Sequence, residues 1–338
     1  MTIENQPTLK ANGLAFATLT PDQLMDALES VGLQPDGRLL ALNSFENRVY
    51  QVGIEDGQPM IAKFYRPARW SDAAILEEHA FTAELNEREI PVVPPLRIND
   101  KTLHHFAEMR FAVFPRQAGR APELDDPATL QWLGRFLGRI HAVGAIEPYA
   151  DRPAISLQSF GIESRDFLLQ NNFVPSDLLP AWQSVAEQAL ESVAHCYDRA
   201  GKVAELRLHG DCHMGNVLWS HDGPHFVDFD DSRMGPAIQD LWMLLSGDNE
   251  AAGIQLAHVL EGYEQFHDFD DRELHLIEAL RTLRLIHYSA WLARRWEDPA
   301  FPLAFPWFNT QRYWQERILE LREQVALMQE NPIRPARL

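Results

Sequence analysis

Two cysteines, Cys196 and Cys212, in 338 residues leave no disulfide framework and no spaced thiolate pairs for a structural zinc. No apolar run approaches the roughly 18 residues that a bilayer span requires. Met1 to Leu19 shows no basic region followed by an apolar stretch, so neither export nor a membrane segment is expected. Positive charge is scarce: 30 Lys and Arg stand against 49 Asp and Glu, a net charge of −19, which excludes a nucleic-acid surface. Internal repeats and low-complexity tracts are absent as well. What is present is a chain of ordinary hydrophobic content, 46%, long enough to bury a large core and to divide in two. These properties predict an acidic, cytoplasmic protein; a monomer is expected, although nothing in the composition sets the oligomeric state.

The chemistry concentrates in residues 208–231. Leu208-His209-Gly210-Asp211-Cys212-His213-Met214-Gly215-Asn216 is followed by Val217-Leu218-Trp219, a polar turn at residues 220–224, and Phe226-Val227-Asp228-Phe229-Asp230-Asp231. Two short apolar runs around Asp222-Gly223 read as a β-hairpin. Such a hairpin returns Asp228 beside Asn216, so that two oxygen ligands face one hard cation such as Mg²⁺. Asp211, on the loop before the first strand, then sits beside the metal as a base or orienting group. This is the arrangement of a kinase catalytic loop followed by its metal-binding aspartate. Asp and Asn taken singly are turn formers and caps; the spacing of the three carries the inference. His209, Asp211 and His213 also alternate on an extended segment, which leaves a zinc or di-metal hydrolase open, although no helical His-x-x-x-His and no Cys pairs add ligands. Cys212 as a nucleophile lacks a recognisable base partner.

Read in order, residues 1–20 form an arm. A helix then starts with Thr20 as its cap and Pro21 at its first position, carries Leu24, Leu28 and Val31 on one stripe, and stops at Gly32. Strands are expected at 38–43, 48–54 and 59–65, the last two joined by Asp56-Gly57. Between the first two, Asn43-Ser44-Phe45-Glu46-Asn47 contains no glycine; a phosphate cradle there rests on Ser44 and backbone N–H groups, and otherwise the segment is a plain turn. Lys63 lies between apolar neighbours on an inward strand phase and needs an anionic partner, either a nucleotide phosphate or a glutamate of the next helix, 72–86. Glu78 shares a face with Ile75, Thr82 and Leu85 and is the preferred partner; Glu77 stays open. A further buried-type strand, 110–114, leads to Arg116-Gln117-Ala118-Gly119-Arg120, which reads as a hinge, with a nucleotide base docking near 114–117. The rest is mainly helical: a helix opened by Asp126-Pro127, with His141 near its end as a packed or capping residue; another to about Arg199; and others near 254–266, 272–295 and 309–329. Asp240 is expected to accept backbone N–H bonds from the catalytic loop; Asp230 and Asp231 could touch the metal, with solvated or substrate-facing positions preferred. The late aromatics, from Trp291 to Trp314, read as core in preference to a cofactor box, with a substrate groove open to some of them.

Asn43–Tyr50, Ala62–Pro67, Leu208–Trp219 and Val227–Asp231 together resemble the bacterial stress response kinase A family, of the aminoglycoside phosphotransferase and choline kinase-like branch of the kinase fold. His-Gly-Asp for His-Arg-Asp, Asp-Phe-Asp for Asp-Phe-Gly, and the missing glycine-rich loop separate it from eukaryotic-type kinases. The resemblance implies an α+β, two-lobed protein-kinase-like fold. Residues 1–117 would form a small antiparallel sheet lobe with one main helix, and residues 118–338 a larger helical lobe with catalytic loop 208–219 and metal-binding segment 227–231. It implies Asp211 as catalytic aspartate, Asn216 and Asp228 on Mg²⁺, Lys63 on the ATP phosphates and Ser44 over the nucleotide; the residue pattern adds Glu78 beside Lys63 at the ATP site and Asp228 beside Asp211 in catalysis. Protein serine and threonine hydroxyls as acceptors come from the resemblance alone. A small-alcohol kinase of the aminoglycoside, choline or homoserine kinase type keeps the same fold, and a nucleotide-binding regulator without turnover is the third possibility.

Overall fold

The computed structural model describes Phe16, residues 19–221 and residues 223–337. The expected arm at 1–20 lies almost wholly outside the described residues, as does Asp222 of the hairpin turn. The described chain runs α1 (Pro21–Glu29), β1 (Pro35–Ala41), β2 (Arg48–Ile54), β3 (Met60–Phe64), α2 (Asp72–Glu87), β4 (His104–Phe106), β5 (Met109–Pro115), α3 (Pro127–Gly144), α4 (Glu163–Gln170), α5 (Leu179–Ala200), β6 (Leu206–Arg207), β7 (Val217–Ser220), β8 (Gly223–Phe226), β9 (Met234–Gly235), α6 (Ile238–Trp242), α7 (Asn249–Tyr263), α8 (Ile277–Arg294), α9 (Ala300–Ala304) and α10 (Gln311–Leu327). It is an α+β kinase-like fold of two compact units.

The first unit holds residues up to Glu87, Val92–Ala118 and Arg294–Pro306. Its antiparallel sheet has the order β1-β2-β3-β5-β4. Strand alternation sorts the side chains. Ala62 and Phe64 of β3 enter a core with Val52, Phe111, Val113 and the α1 residues Leu24 and Leu28, whereas Tyr65 packs with Ile75 of α2 and Ala112. Lys63, out of phase with Ala62 and Phe64, therefore takes the α2 side. Thr20 caps α1 in a reciprocal capping box with Gln23, and Pro21 occupies the first turn, as expected. β1 begins at Pro35 rather than residue 38, because a register irregularity between Pro35 and Leu39 lets its start pair with Ile54.

The second unit comprises Arg88–Pro91, Gly119–Ala293 and the chain from Trp307. Its centre is the pair α3 and α7, whose backbones meet closely: a Cβ on Gly134 would overlap the Val259 carbonyl, and one on Gly262 the Gln131 carbonyl. Asp126 caps α3 through the Ala128 and Thr129 amides. α7 starts at Asn249, earlier than the expected 254, because Asp248 caps it by accepting from the Ala251 amide. α10 lies along α5, with Trp182 and Trp314 edge to face, their centroids 5.8 Å apart.

Candidate active site

The hairpin expected from sequence is present. β7 and β8 pair in the register Val217↔Phe226 to Ser220↔Gly223, and the ladder continues one step further: the Val227 amide donates to the Asn216 carbonyl at 3.0 Å. The backbone of Asp228 thus follows directly on a hydrogen bond to Asn216. Asp228 has φ 60° and ψ 64°, a left-handed conformation that Asp tolerates better than most residues, and it is exposed.

Asn216 is oriented by the loop that precedes it. Its Nδ2 donates to the Asp211 carbonyl at 3.0 Å, which fixes the amide and leaves Oδ1 as the acceptor. The Asp211 carbonyl also takes the His213 amide at 2.8 Å, so the loop closes on itself. The Asp211 carboxylate is about a quarter exposed. Its Oδ1 lies 2.7 Å from Arg284 Nη1, and its Oδ2 lies 3.5 Å from His213 Nε2. Burial holds the His213 imidazole below its ordinary pKa against the opposing pull of Asp211 and Asp228, so both carboxylates act on one ring.

Beneath the loop sits Asp240, fully buried in α6. Its Oδ2 accepts from the His209 amide and its Oδ1 from the Gly210 amide, both at 2.8 Å, and Oδ2 also accepts from His141 Nε2 at 3.0 Å. Burial would raise the Asp240 carboxyl, but His141, His209 and the Gly210 amide hold it below its usual value. The support role expected for Asp240 is what the geometry displays. His141 is wholly buried between Asp240 and the Tyr263 hydroxyl at 2.9 Å, a packed residue rather than a catalyst.

The metal-hydrolase reading loses its first ligand. His209 is buried, its Nδ1 takes the Asp211 amide at 3.4 Å and its Nε2 meets the Val227 carbonyl at 2.9 Å. Among the described residues no three His, Cys, Asp or Glu side chains gather in a way that could hold a metal. Cys212 is buried, and burial pushes its thiol well up, so it is no nucleophile at neutral pH. Asp230 corrects another expectation. It is buried instead of solvated, and its carbonyl accepts from Arg152 Nη1 at 2.9 Å, because the short helical turn after Asp228 folds it inward. Asp231 is half-buried.

In the sheet unit, Lys63 and Glu78 are 5% and 2% exposed, an expensive placement for both charges unless they are satisfied. Lys63 Nζ stands 5.4 Å from the Tyr65 ring. Ile75, Glu78, Thr82 and Leu85 are all buried, whereas Glu77 is only half so. Ser44 Oγ donates to the Asn47 carbonyl at 3.3 Å. Its turn is held by Arg66, which donates to the Phe45 and Glu46 carbonyls, and by Phe45 packing on Phe301 and Phe305. In place of a free glycine loop, this is a tethered turn.

Sequence reasoning missed Arg284 and Arg152. Neither stands near the motif in the chain: Arg152 lies in the irregular segment between α3 and α4 and Arg284 in α8, and nothing local marks the partner of either.

The phosphotransferase enzyme family matches residues 38–277. Stress response kinase A of Salmonella choleraesuis is 45% identical over 322 residues, 95% of this chain and 97% of that one. The "Serine/threonine protein kinase RdoA" of Salmonella typhimurium aligns with the same identity and coverage. Among solved structures, an amicoumacin kinase in complex with AMP-PNP, Ca²⁺ and Ami superposes with a TM-score of 0.71 at 21% identity, covering 94% of this chain and 96% of that one. The chain belongs to the phosphotransferase enzyme family and, within it, to the stress response kinase A group. It is a kinase. No helix among the described residues is long and apolar enough to cross a membrane.

Proposed function

We propose that this kinase transfers the terminal phosphoryl group of ATP, as its Mg²⁺ complex, to serine or threonine hydroxyls of proteins. The observation that carries the reading is the loop and hairpin of residues 208–231. It presents the Asp211 carboxylate, an Asn216 Oδ1 left available by the bond from its own Nδ2, and Asp228 one residue beyond the hairpin ladder. That donor set, an amide oxygen and a carboxylate, suits a hard divalent ion. The bound ion would neutralise charge on the phosphates. In the sheet unit, Lys63 would bind phosphate oxygens with Glu78 as its counter-ion, and Ser44 would contribute at the nucleotide.

Asp211 orients the acceptor hydroxyl and takes its proton. His209 does not enter the chemistry; it ties the loop to Val227. Protein as acceptor is supported by the name of the Salmonella typhimurium relative. Replacing Asp228 with Ala should weaken binding of the Mg²⁺–ATP complex by at least tenfold in calorimetry, an estimate of about 1.4 kcal/mol or more. Replacing Asp211 with Asn should leave that binding within about twofold and lower transfer roughly 10²- to 10⁴-fold. Equal affinity in the Asp228→Ala protein would contradict the metal assignment.

A further inference from the structure

The Asp211 carboxylate carries a partner that the proposed function does not require. Arg284, on α8, reaches it across 73 residues of sequence, and its Nη1 stands 2.7 Å from Oδ1. α8 is anchored by the buried Leu280, Leu283 and Ile286 on the turns around Arg284, so the guanidinium is delivered from a fixed backbone. Oδ1 is shielded from solvent and accepts no hydrogen bond, so its contact with Arg284 is an ion pair whose N–H groups are not directed at it. Oδ2 lies on the His213 side. The Gly215 amide donates to His213 Nδ1 at 2.9 Å, which leaves Nε2 as the protonated nitrogen, 3.5 Å from Oδ2 and beyond a normal hydrogen bond.

We infer that Arg284 is a positioning and specificity-determining residue: it holds Oδ1 of Asp211 so that Oδ2 alone receives the acceptor proton, and its charge selects acceptor hydroxyls on neutral or acidic segments over hydroxyls beside an ammonium group. The inference rests on the phosphotransfer reading above and names its acceptor class.

The Arg284 side chain is 41% exposed and that of Asp211 23%, and an ion pair whose guanidinium is this open to water adds little to stability even with Oδ1 itself covered. Its value lies in geometry, since a misplaced catalytic group loses rate steeply. A bare catalytic aspartate presents one negative charge to the acceptor and favours a cation. Here the guanidinium offsets it by charge, and its N–H donors, none of which bonds Oδ1, are available to a carboxylate beside the acceptor hydroxyl. The basic residue one turn earlier on α8, Arg281, is occupied by Glu278 at 2.7 Å and by the Trp242 ring, so Arg284 is the α8 cation turned to the base. The −19 net charge of the whole chain does not decide acceptor charge; the group on the reacting carboxylate does.

The test uses the full chain with two synthetic peptides, each holding one serine flanked either by glutamates or by lysines, and with choline as a cationic alcohol. The unaltered enzyme should favour the glutamate peptide over the lysine peptide and choline by at least roughly tenfold in kcat/KM. Arg284→Ala should lower kcat on the glutamate peptide roughly 10- to 100-fold and erase the peptide preference. Its KM for ATP and its melting temperature should stay near the parent's. Arg284→Lys should keep the preference but recover only part of kcat, because a point charge cannot reproduce the fork. Added guanidinium ion at non-denaturing concentration should partly rescue Arg284→Ala. An Arg284→Ala enzyme with parental kcat and parental preference would overturn the inference and leave the kinase reading standing, as would a parent enzyme that prefers choline or the lysine peptide. No transfer to any acceptor by the parent would overturn the kinase reading, and this inference with it.

Discussion

Gly210 stands between the buried imidazole of His209 and Asp211, at φ 86°, with the Asp231 carbonyl where a Cβ would be. Both constraints admit only glycine. Gly210→Ala should lose about 1–2 kcal/mol to the left-handed backbone and about 1–3 kcal/mol more to overpacking, with transfer activity falling at least as far. Urea unfolding read beside a kinase assay would check this, and a variant with parental stability would contradict the geometry. The return of the chain at Asp228 to the backbone of Asn216 was legible at this scale, because two short apolar runs around a turn fold into a hairpin. Arg284 was not, since only the packing of α8 brings it to Asp211. Asp230 was misjudged for a related reason: adjacent aspartates read as a solvated run until the turn after Asp228 buries one of them.

Among the elements, α6 does more than its five residues suggest. It carries Asp240, which accepts two loop amides, and its own start is held by Glu273, whose Oε2 accepts from the Ile238 amide at 2.8 Å. Asp240→Ala strands the His209 and Gly210 amides in a buried place. About 1–3 kcal/mol is expected for each unpaired group, together with a loosened catalytic loop, so activity should fall even at temperatures where the variant stays folded. Thermal unfolding followed by circular dichroism gives the first figure.

Glu273 has the opposite pH signature from the carboxylates that gain stabilising partners. Burial lifts its pKa to about 7 from an ordinary 4.5. Folding therefore favours its protonated form. Its contribution to stability is whole below pH 4.5, fades as the pH climbs towards 7, and reaches a loss of about 3 kcal/mol above that. Glu273→Gln keeps an acceptor for Ile238 without the charge. The variant should gain on the parent between pH 5 and 8 and match it near pH 4; a constant difference across that range would contradict the assignment. Helix caps and the hairpin were readable because Thr20, Asp126 and the Asp-Gly turn are local signals. The start of α7 was not, since Asp248-Asn249-Glu250 looks like loop until its cap is seen.

At the scale of the whole chain, residues 294–306 leave the helical portion and join the sheet unit. Arg66 pairs there with Asp298 at 2.9 Å, and Arg295 with Glu46 at 2.6 Å. Burial would raise Glu46, but Arg295, Arg69 and Arg66 keep it ionised below its usual range. This connection explains why late aromatics divide, Phe301 and Phe305 going to Phe45 while Phe308 and Trp314 stay with Tyr313. Composition showed a cluster but not its division, because the partners lie some 250 residues away. Arg66→Met should destabilise by about 3–5 kcal/mol, since removing one member of a buried ion network leaves the others uncompensated. Near-parental stability in that variant would mean the network is dispensable.

The central claim is that the loop and hairpin of residues 208–231 run phosphoryl transfer with Asp211 as the base. Transfer of label from γ-labelled ATP to serine peptides, measured for the parent and for Asp211→Asn alongside calorimetric ATP affinity, tests it most directly. The account predicts a loss of roughly 10²- to 10⁴-fold in transfer with affinity unchanged. Parental transfer rates in Asp211→Asn would contradict it.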